Sequence, residues 1–112
     1  MRVHFEIGET MAKLVEVTVA KPHLGKGEEF LALCAKFKKM VMAAGVEEVW
    51  FNTGNVGRHF GCVIAYQVFS NGESNGKIND VLNDDPEFSA ELRKMSAICD
   101  WISHDSYYQT SI

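Results

Sequence analysis

The chain has 112 residues, 46% of them hydrophobic and 23% charged, which suits one globular domain with a core of its own. The net charge of −4 comes without any basic block, so we do not expect nucleic acid as a partner. No apolar run reaches the roughly 18–20 residues that cross a bilayer, and the first ten residues lack a signal-peptide pattern. We therefore expect a cytoplasmic protein without a membrane partner.

The first eleven residues carry a weak strand pattern at positions 3–7, where apolar and polar side chains alternate. Met11 is followed by alanine and lysine, which is typical of the start of a protein. We therefore expect residues 1–11 to be an N-terminal extension and residues 12–112 to be the domain.

The domain opens with a predicted strand over residues 13–20, KLVEVTVA, which is rich in β-branched residues. Side chains alternate between the two faces of a strand. One face therefore carries Val15, Val17 and Val19, and the other carries Leu14, Glu16 and Thr18. Pro22 ends the strand because proline cannot donate to a sheet ladder.

A long amphipathic helix is predicted at about residues 26–44, since apolar side chains recur there at steps of three and four. Residues 46–52 and 61–69 then predict a second and a third strand. The glycine-rich segment between them, residues 53–60, is a turn by composition. These two strands should form an antiparallel hairpin.

The last third of the chain is predicted to hold a loop, a helix and a strand. The composition of residues 70–76, SNGESNG, is typical of a loop, and a short helical turn follows around residues 78–82. Asp85 and Pro86 suit the cap and the first position of a helix that runs to about residue 99. A final strand covers about residues 101–109.

The order strand–helix–strand–strand–helix–strand predicts an α+β, ferredoxin-like fold. In this fold an antiparallel sheet carries both helices on one face. The third strand is apolar on both sides, and the residues alone do not decide which side faces the helices. An apolar open face calls for a cover, so we expect a homodimer formed through it. Tyr66 or Val68 should lie in or near that interface.

Three cysteines, Cys34, Cys62 and Cys99, stand far apart within apolar stretches. Disulfide frameworks and zinc sites need cysteines at short spacings, and nothing near these three would activate a thiol. We therefore expect small buried side chains. No pair of histidines has the three- or four-residue helical spacing of a metal site either, so we predict no metal and no cofactor.

The segments VEVTVAKP, LGKGEEFLALCAKFKKM and DDPEFSAELRKM resemble the dimeric α+β barrel superfamily, which includes antibiotic-biosynthesis-monooxygenase-like and NIPSNAP-like domains. The likeness covers about residues 12–109. It implies a homodimer whose sheets close into a barrel, with a pocket for a small hydrophobic or aromatic ligand between sheet and helices. Haem binding occurs in relatives and would need a histidine as axial ligand.

Cofactor-independent monooxygenases of this superfamily use aromatic, Asn, His and Arg side chains in such a cavity. The resemblance therefore implies catalytic roles for Trp50, Asn52, His59 and Tyr66, and ligand-binding roles for Arg58, His23 and His104. Such chemistry needs a base for a substrate proton and donors for a developing oxyanion. The competing interpretation is plain packing for the aromatic residues and turn chemistry for Asn52.

Two functions remain open from the sequence. The first is a small-molecule-binding dimeric barrel of the monooxygenase-like kind, and the second is a non-catalytic homodimer for assembly or ligand sequestration. A pocket that holds Trp50, Asn52 and His59 together would favour the first. A sheet–helix interface filled with packed side chains would favour the second.

Overall fold

The computed structural model describes residues 12–112, so the strand pattern at residues 3–7 and the N-terminal extension lie outside the described residues. The described chain forms four strands and three helices. In chain order they are β1 (Leu14–Pro22), α1 (Gly27–Ala43), β2 (Glu48–Thr53), β3 (Val63–Phe69), α2 (Gly72–Asn83), α3 (Pro86–Ser96) and β4 (Cys99–Tyr108). No helix in this part of the chain is both long and apolar enough to cross a membrane.

The strands form one antiparallel sheet in the order β2-β3-β1-β4, which confirms the predicted ferredoxin-like topology. β1 and β3 occupy its centre, and β2 and β4 are its edges. The pairing of β1 with β4 shifts between Val19 and Ala20, where one extra residue of β4 forms an irregularity. β2 and β3 make the expected hairpin, with Trp50 opposite Tyr66.

All helices pack on one face of the sheet, and the core lies between the two layers. One cluster joins Leu14 and Phe69 of the sheet to Val41, Ile78 and Phe88 of the helices. A second cluster joins strand residues to α1 and α3, and its buried members are Ala20, Phe30, Cys34, Val63, Met95 and Cys99. The three cysteines are buried and free, as predicted.

The register decides which side of β1 meets the helices. Leu14, Glu16, Thr18 and Ala20 lie on the helix side, whereas the valines of β1 lie on the open side with Ile64, Tyr66 and Val68 of β3. The centre of the open face is therefore apolar, while the edge strands add Asp105 opposite Val17 and Glu48 opposite Val68. The helix side carries an acid, Glu16, in the middle of the sheet.

The prediction of a loop at residues 70–76 is wrong, because α2 already begins at Gly72. Asn71 caps this helix, with its side chain accepting a hydrogen bond from the Ser74 amide at 2.8 Å. Ile78 and Leu82, four residues apart, are the buried anchors of the helix. Capping and these two contacts outweigh a polar, glycine-containing composition that is otherwise typical of loops.

The cap predicted for the last helix is confirmed. The Asp85 side chain accepts a hydrogen bond from the Glu87 amide at 2.9 Å, and Pro86 occupies the first helical position. The helix ends at Ser96, three residues before the predicted end, and β4 begins at Cys99.

The Asn71 cap can be tested by replacing it with alanine. We expect Asn71→Ala to lower the free energy of unfolding by about 0.5–2 kcal/mol, because the Ser74 amide loses its acceptor. Chemical denaturation measures this change. Asn55→Ala, in the exposed loop between β2 and β3, is the control and should change stability by less than about 0.5 kcal/mol.

Candidate functional site

A cavity of about 310 Å³ lies between the sheet and the helices. Its size falls at the lower end of the roughly 300–1,000 Å³ typical of small-molecule sites. Five aromatic side chains contribute to its wall, namely Phe30, Phe37, Phe51, Phe88 and Trp101. The floor is formed by small strand residues, Ala20, Val63 and Ala65, which leave room above the sheet. Three polar or aromatic lining residues, Asn83, Trp101 and His104, are exposed and mark the open side.

One end of the cavity is polar and centres on Glu16, whose side chain is buried from solvent. Asn75 and Asn79 of α2 donate to Glu16 Oε2 at 2.6 and 3.1 Å. Gln67 of β3 donates to Glu16 Oε1 at 3.5 Å, the long limit for a hydrogen bond. The buried acid is thus held by amides from two different elements.

His104 connects this polar end to the open side of the cavity. Its Nδ1 and the Thr18 hydroxyl lie 2.7 Å apart and form a hydrogen bond, which orients the imidazole ring. The other ring nitrogen, Nε2, lies 3.8 Å from Glu16 Oε1. This is too long for a direct hydrogen bond, but it places the imidazole beside the buried carboxyl group.

The site can therefore bind an apolar body and offer a polar contact at one end. Glu16 is the group able to accept a proton within the cavity, and His104 is a second titratable group beside it. The thiol of Cys34 also lines the cavity, but burial raises its pKa to about 12, with smaller contributions from Cys99 and Glu91. That thiol stays protonated at neutral pH and is a poor nucleophile.

Of the seven predicted site residues, only His104 lines this cavity. Trp50 and Tyr66 stack with ring centroids 4.8 Å apart and planes 7° apart, on the open face of the sheet. Asn52 lies on the same face, opposite Ile64. Trp50, Asn52 and His59 do not share the sheet–helix pocket: the register turns the even face of β2, with Trp50 and Asn52, away from the helices, and His59 lies in the β2–β3 loop.

The remaining predicted residues lie in loops away from the cavity. Arg58 and His59 belong to the β2–β3 loop, where the His59 carbonyl approaches Gly54 so closely that a Cβ at Gly54 would overlap it. His23 follows β1 and lies 3.2 Å from Asp100 through Nε2. Within residues 12–112, no three His, Cys, Asp or Glu side chains converge on a point where a metal could bind.

Sequence reasoning missed Glu16 and the three amides that hold it. One signal was present, since Glu16 is an acid in the middle of a β-branched strand. Asn75 and Asn79 are four residues apart, which places them on one side of a helix, but Asn75 fell in the predicted loop and Asn79 in the short helical turn after it. The hydrogen bonds to Glu16 join side chains that are 51 to 63 positions apart along the chain. A local sequence pattern therefore cannot reveal them.

Several solved structures have the same fold as this chain. A NIPSNAP family protein from Agrobacterium tumefaciens aligns with a TM-score of 0.73 at 17% identity, over 89% of this chain and 88% of the other. SnoaB, a cofactor-independent oxygenase from Streptomyces nogalater, aligns as a mutant form with a TM-score of 0.73 at 13% identity, over 90% and 96%. The chain shares their fold.

A NIPSNAP-like domain protein from Burkholderia xenovorans is a further match, with a TM-score of 0.69 at 12% identity, over 91% of this chain and 87% of the other. The resemblance inferred from the sequence is thereby confirmed as a likeness of fold. No family model matches the sequence, and no curated protein is similar to it. Identities this low carry no information on the reaction.

The buried thiol predicts a loss of stability at high pH. The pKa of Cys34 is raised to about 12 in the folded protein, whereas an unfolded thiol has a pKa of about 8.5. The protonated thiol therefore favours the folded state fully below pH 8.5, and this contribution is lost as the pH rises toward 12. We expect the free energy of unfolding of the wild type to fall more steeply between pH 8.5 and 11 than that of Cys34→Ala.

Denaturant titrations of both proteins across this range measure the difference, and the range from pH 6 to 8 is the internal control. There the two proteins should differ by a constant amount. Parallel pH profiles above pH 8.5 would contradict the prediction.

Proposed function

We propose that this protein binds a small aromatic or apolar molecule in the cavity between its sheet and its helices. The observation that carries the proposal is an unfilled space of about 310 Å³, with aromatic walls and a buried acid at one end. A core that served stability alone would be close-packed, because empty volume weakens packing. It would also have no use for Glu16, whose burial has to be compensated by three amides.

We further propose that the protein is a homodimer that associates through the open face of the sheet. Val17 and Tyr66 are half-buried there, and Trp50 is 41% exposed although it stacks on Tyr66. Tyr107 of β4, opposite Val15, is exposed as well. A sheet face of this composition is typical of a surface that a second protein copy covers.

The proposal extends to activity in one respect. SnoaB, which has this fold, is a cofactor-independent oxygenase. A reaction of that kind begins best where a base meets a substrate proton, and in this cavity the base would be Glu16, with His104 beside it. The catalytic roles predicted for Trp50, Asn52, His59 and Tyr66 stay a prediction, and the cavity does not need them.

Ligand sequestration without catalysis is the second candidate. It is favoured by the placement of those four side chains, none of which lines the cavity. Both candidates share the same binding site, so a test of binding comes first.

Naphthalene, an aromatic probe without polar groups, tests the cavity. We expect it to bind the wild type and to bind Ala65→Phe at least tenfold more weakly, because the new ring fills the space above β3. Titration followed by naphthalene fluorescence measures both affinities. Ala35→Phe, on the exposed side of α1, is the matched control and should bind as the wild type does.

Native mass spectrometry of freshly purified protein adds an independent reading, because a retained ligand appears as extra mass. Absence of naphthalene binding to the wild type would contradict the proposed function. Equal binding to Ala65→Phe would show that the probe binds elsewhere.

The dimer is tested by a charge at the centre of the open face. We expect Val17→Glu to be monomeric, because association would bury an unpaired carboxylate. Size-exclusion chromatography with light scattering gives the mass. Val81→Glu, at an exposed valine of α2, is the control and should stay dimeric. A dimeric Val17→Glu, or a monomeric wild type, would contradict the proposed interface.

A further inference from the structure

We propose that Glu16 selects the ligand by accepting a hydrogen bond from it. The cavity would thus take an aromatic molecule that carries an O–H or N–H donor, and it would reject carboxylic acids. This inference rests on the proposed function, since it concerns the same cavity, and it adds the chemical class of the ligand.

The hydrogen bonds around Glu16 leave it room for one more donor. An ionised carboxyl group offers about four acceptor positions on its two oxygens. Asn75 and Asn79 both donate to Oε2, whereas Oε1 receives only the long bond from Gln67 at 3.5 Å. His104 Nε2 stays 3.8 Å from Oε1. Oε1 is therefore the weakly satisfied oxygen, and Glu16 lines the cavity.

The rest of the lining supports a donor rather than an acceptor on the ligand. Among the described residues, the cavity wall includes no lysine and no arginine. An anionic ligand would therefore meet the Glu16 carboxyl group, and the exposed His104 imidazole is the one lining side chain among the described residues that could carry a positive charge to offset it. The side-chain amides of Gln67 and Asn79 each donate one N–H to Glu16. Fewer N–H donors are therefore left for an acceptor on the ligand.

The size and shape of the cavity further limit which ligands it can bind. Its volume of about 310 Å³ and its phenylalanine walls suit one or two fused aromatic rings. The polar contact lies at one end, so a ligand with a single donor at its edge can place its ring among the phenylalanines and its donor on Glu16. Phenols, enols of aromatic ketones and indoles have this form.

Indole and benzofuran make the sharpest pair of probes, because they have the same bicyclic shape and differ in one ring atom. Indole presents an N–H donor where benzofuran has an oxygen acceptor. We expect wild-type protein to bind indole at least about tenfold more tightly than benzofuran, as a hydrogen bond to a charged acceptor would give. Isothermal titration at neutral pH measures both affinities.

Glu16→Gln keeps the size of the side chain and removes the charge, and we expect it to reduce the indole preference to less than threefold. Ser106→Ala is the matched control. Ser106 is the β4 partner of Glu16 in the sheet but does not line the cavity, so its removal should leave the preference unchanged. Should Glu16→Gln fail to fold, the wild-type comparison still tests whether the cavity prefers a donor, and a wild type without an indole preference overturns the proposal.

The outcomes separate the two proposals. Equal affinities for indole and benzofuran, with naphthalene bound, would overturn the role of Glu16 and leave the proposed function standing. Tighter binding of benzofuran would overturn it as well. If none of the three probes binds, the proposed function fails, and the selection of donors fails with it.

Discussion

The buried carboxyl group of Glu16 is the constraint on which the arrangement of the helix layer depends. An acid on the helix side of a central strand cannot remain without partners, because burying a charged or polar group unpaired costs several kcal/mol. The partners come from Gln67 on the neighbouring strand and from Asn75 and Asn79 on α2. The position of α2 over the sheet is therefore set by polar contacts as well as by Ile78 and Leu82.

The same acid gives the helix side of the central strand β1 a polar patch within an otherwise apolar core. In most two-layer domains the helix side of the sheet is the more apolar side. Here the helix side of β1 carries Glu16 and Thr18, which border a cavity, and the open side carries the valines. This polar patch at the cavity suits a site for a small molecule. The apolar centre of the open face suits contact with another protein surface.

Much of the fold could be predicted from the sequence because its causes are local. The alternation in residues 13–20 correctly separated the valines from Glu16 and Thr18, and Asp85 with Pro86 correctly marked the start of the last helix. The helix at Gly72 could not be predicted, because its stability comes from a cap and from two buried side chains within a polar segment.

The site was harder to predict for a related reason. The resemblance suggested residue types on β2, but a strand has two faces, and the sequence does not say which one meets the helices. Trp50 and Asn52 lie on the face away from the cavity. Glu16, Gln67 and the two asparagines of α2 come together only through long-range pairing. Neither composition nor spacing predicts a cluster assembled from three separate elements.

If the cavity binds a ligand as proposed, the contact of α2 with Glu16 links occupancy of the cavity to the local opening of one helix. Isolated helices of 12 residues are marginal in water, and α2 buries only Ile78 and Leu82. Its remaining ties to the sheet include the two asparagine bonds to the acid that also faces the ligand. The backbone amides of α2 should therefore exchange with solvent at a rate that reports on the state of the cavity. Under the proposed function, hydrogen exchange in that helix would report binding separately from any change in overall stability.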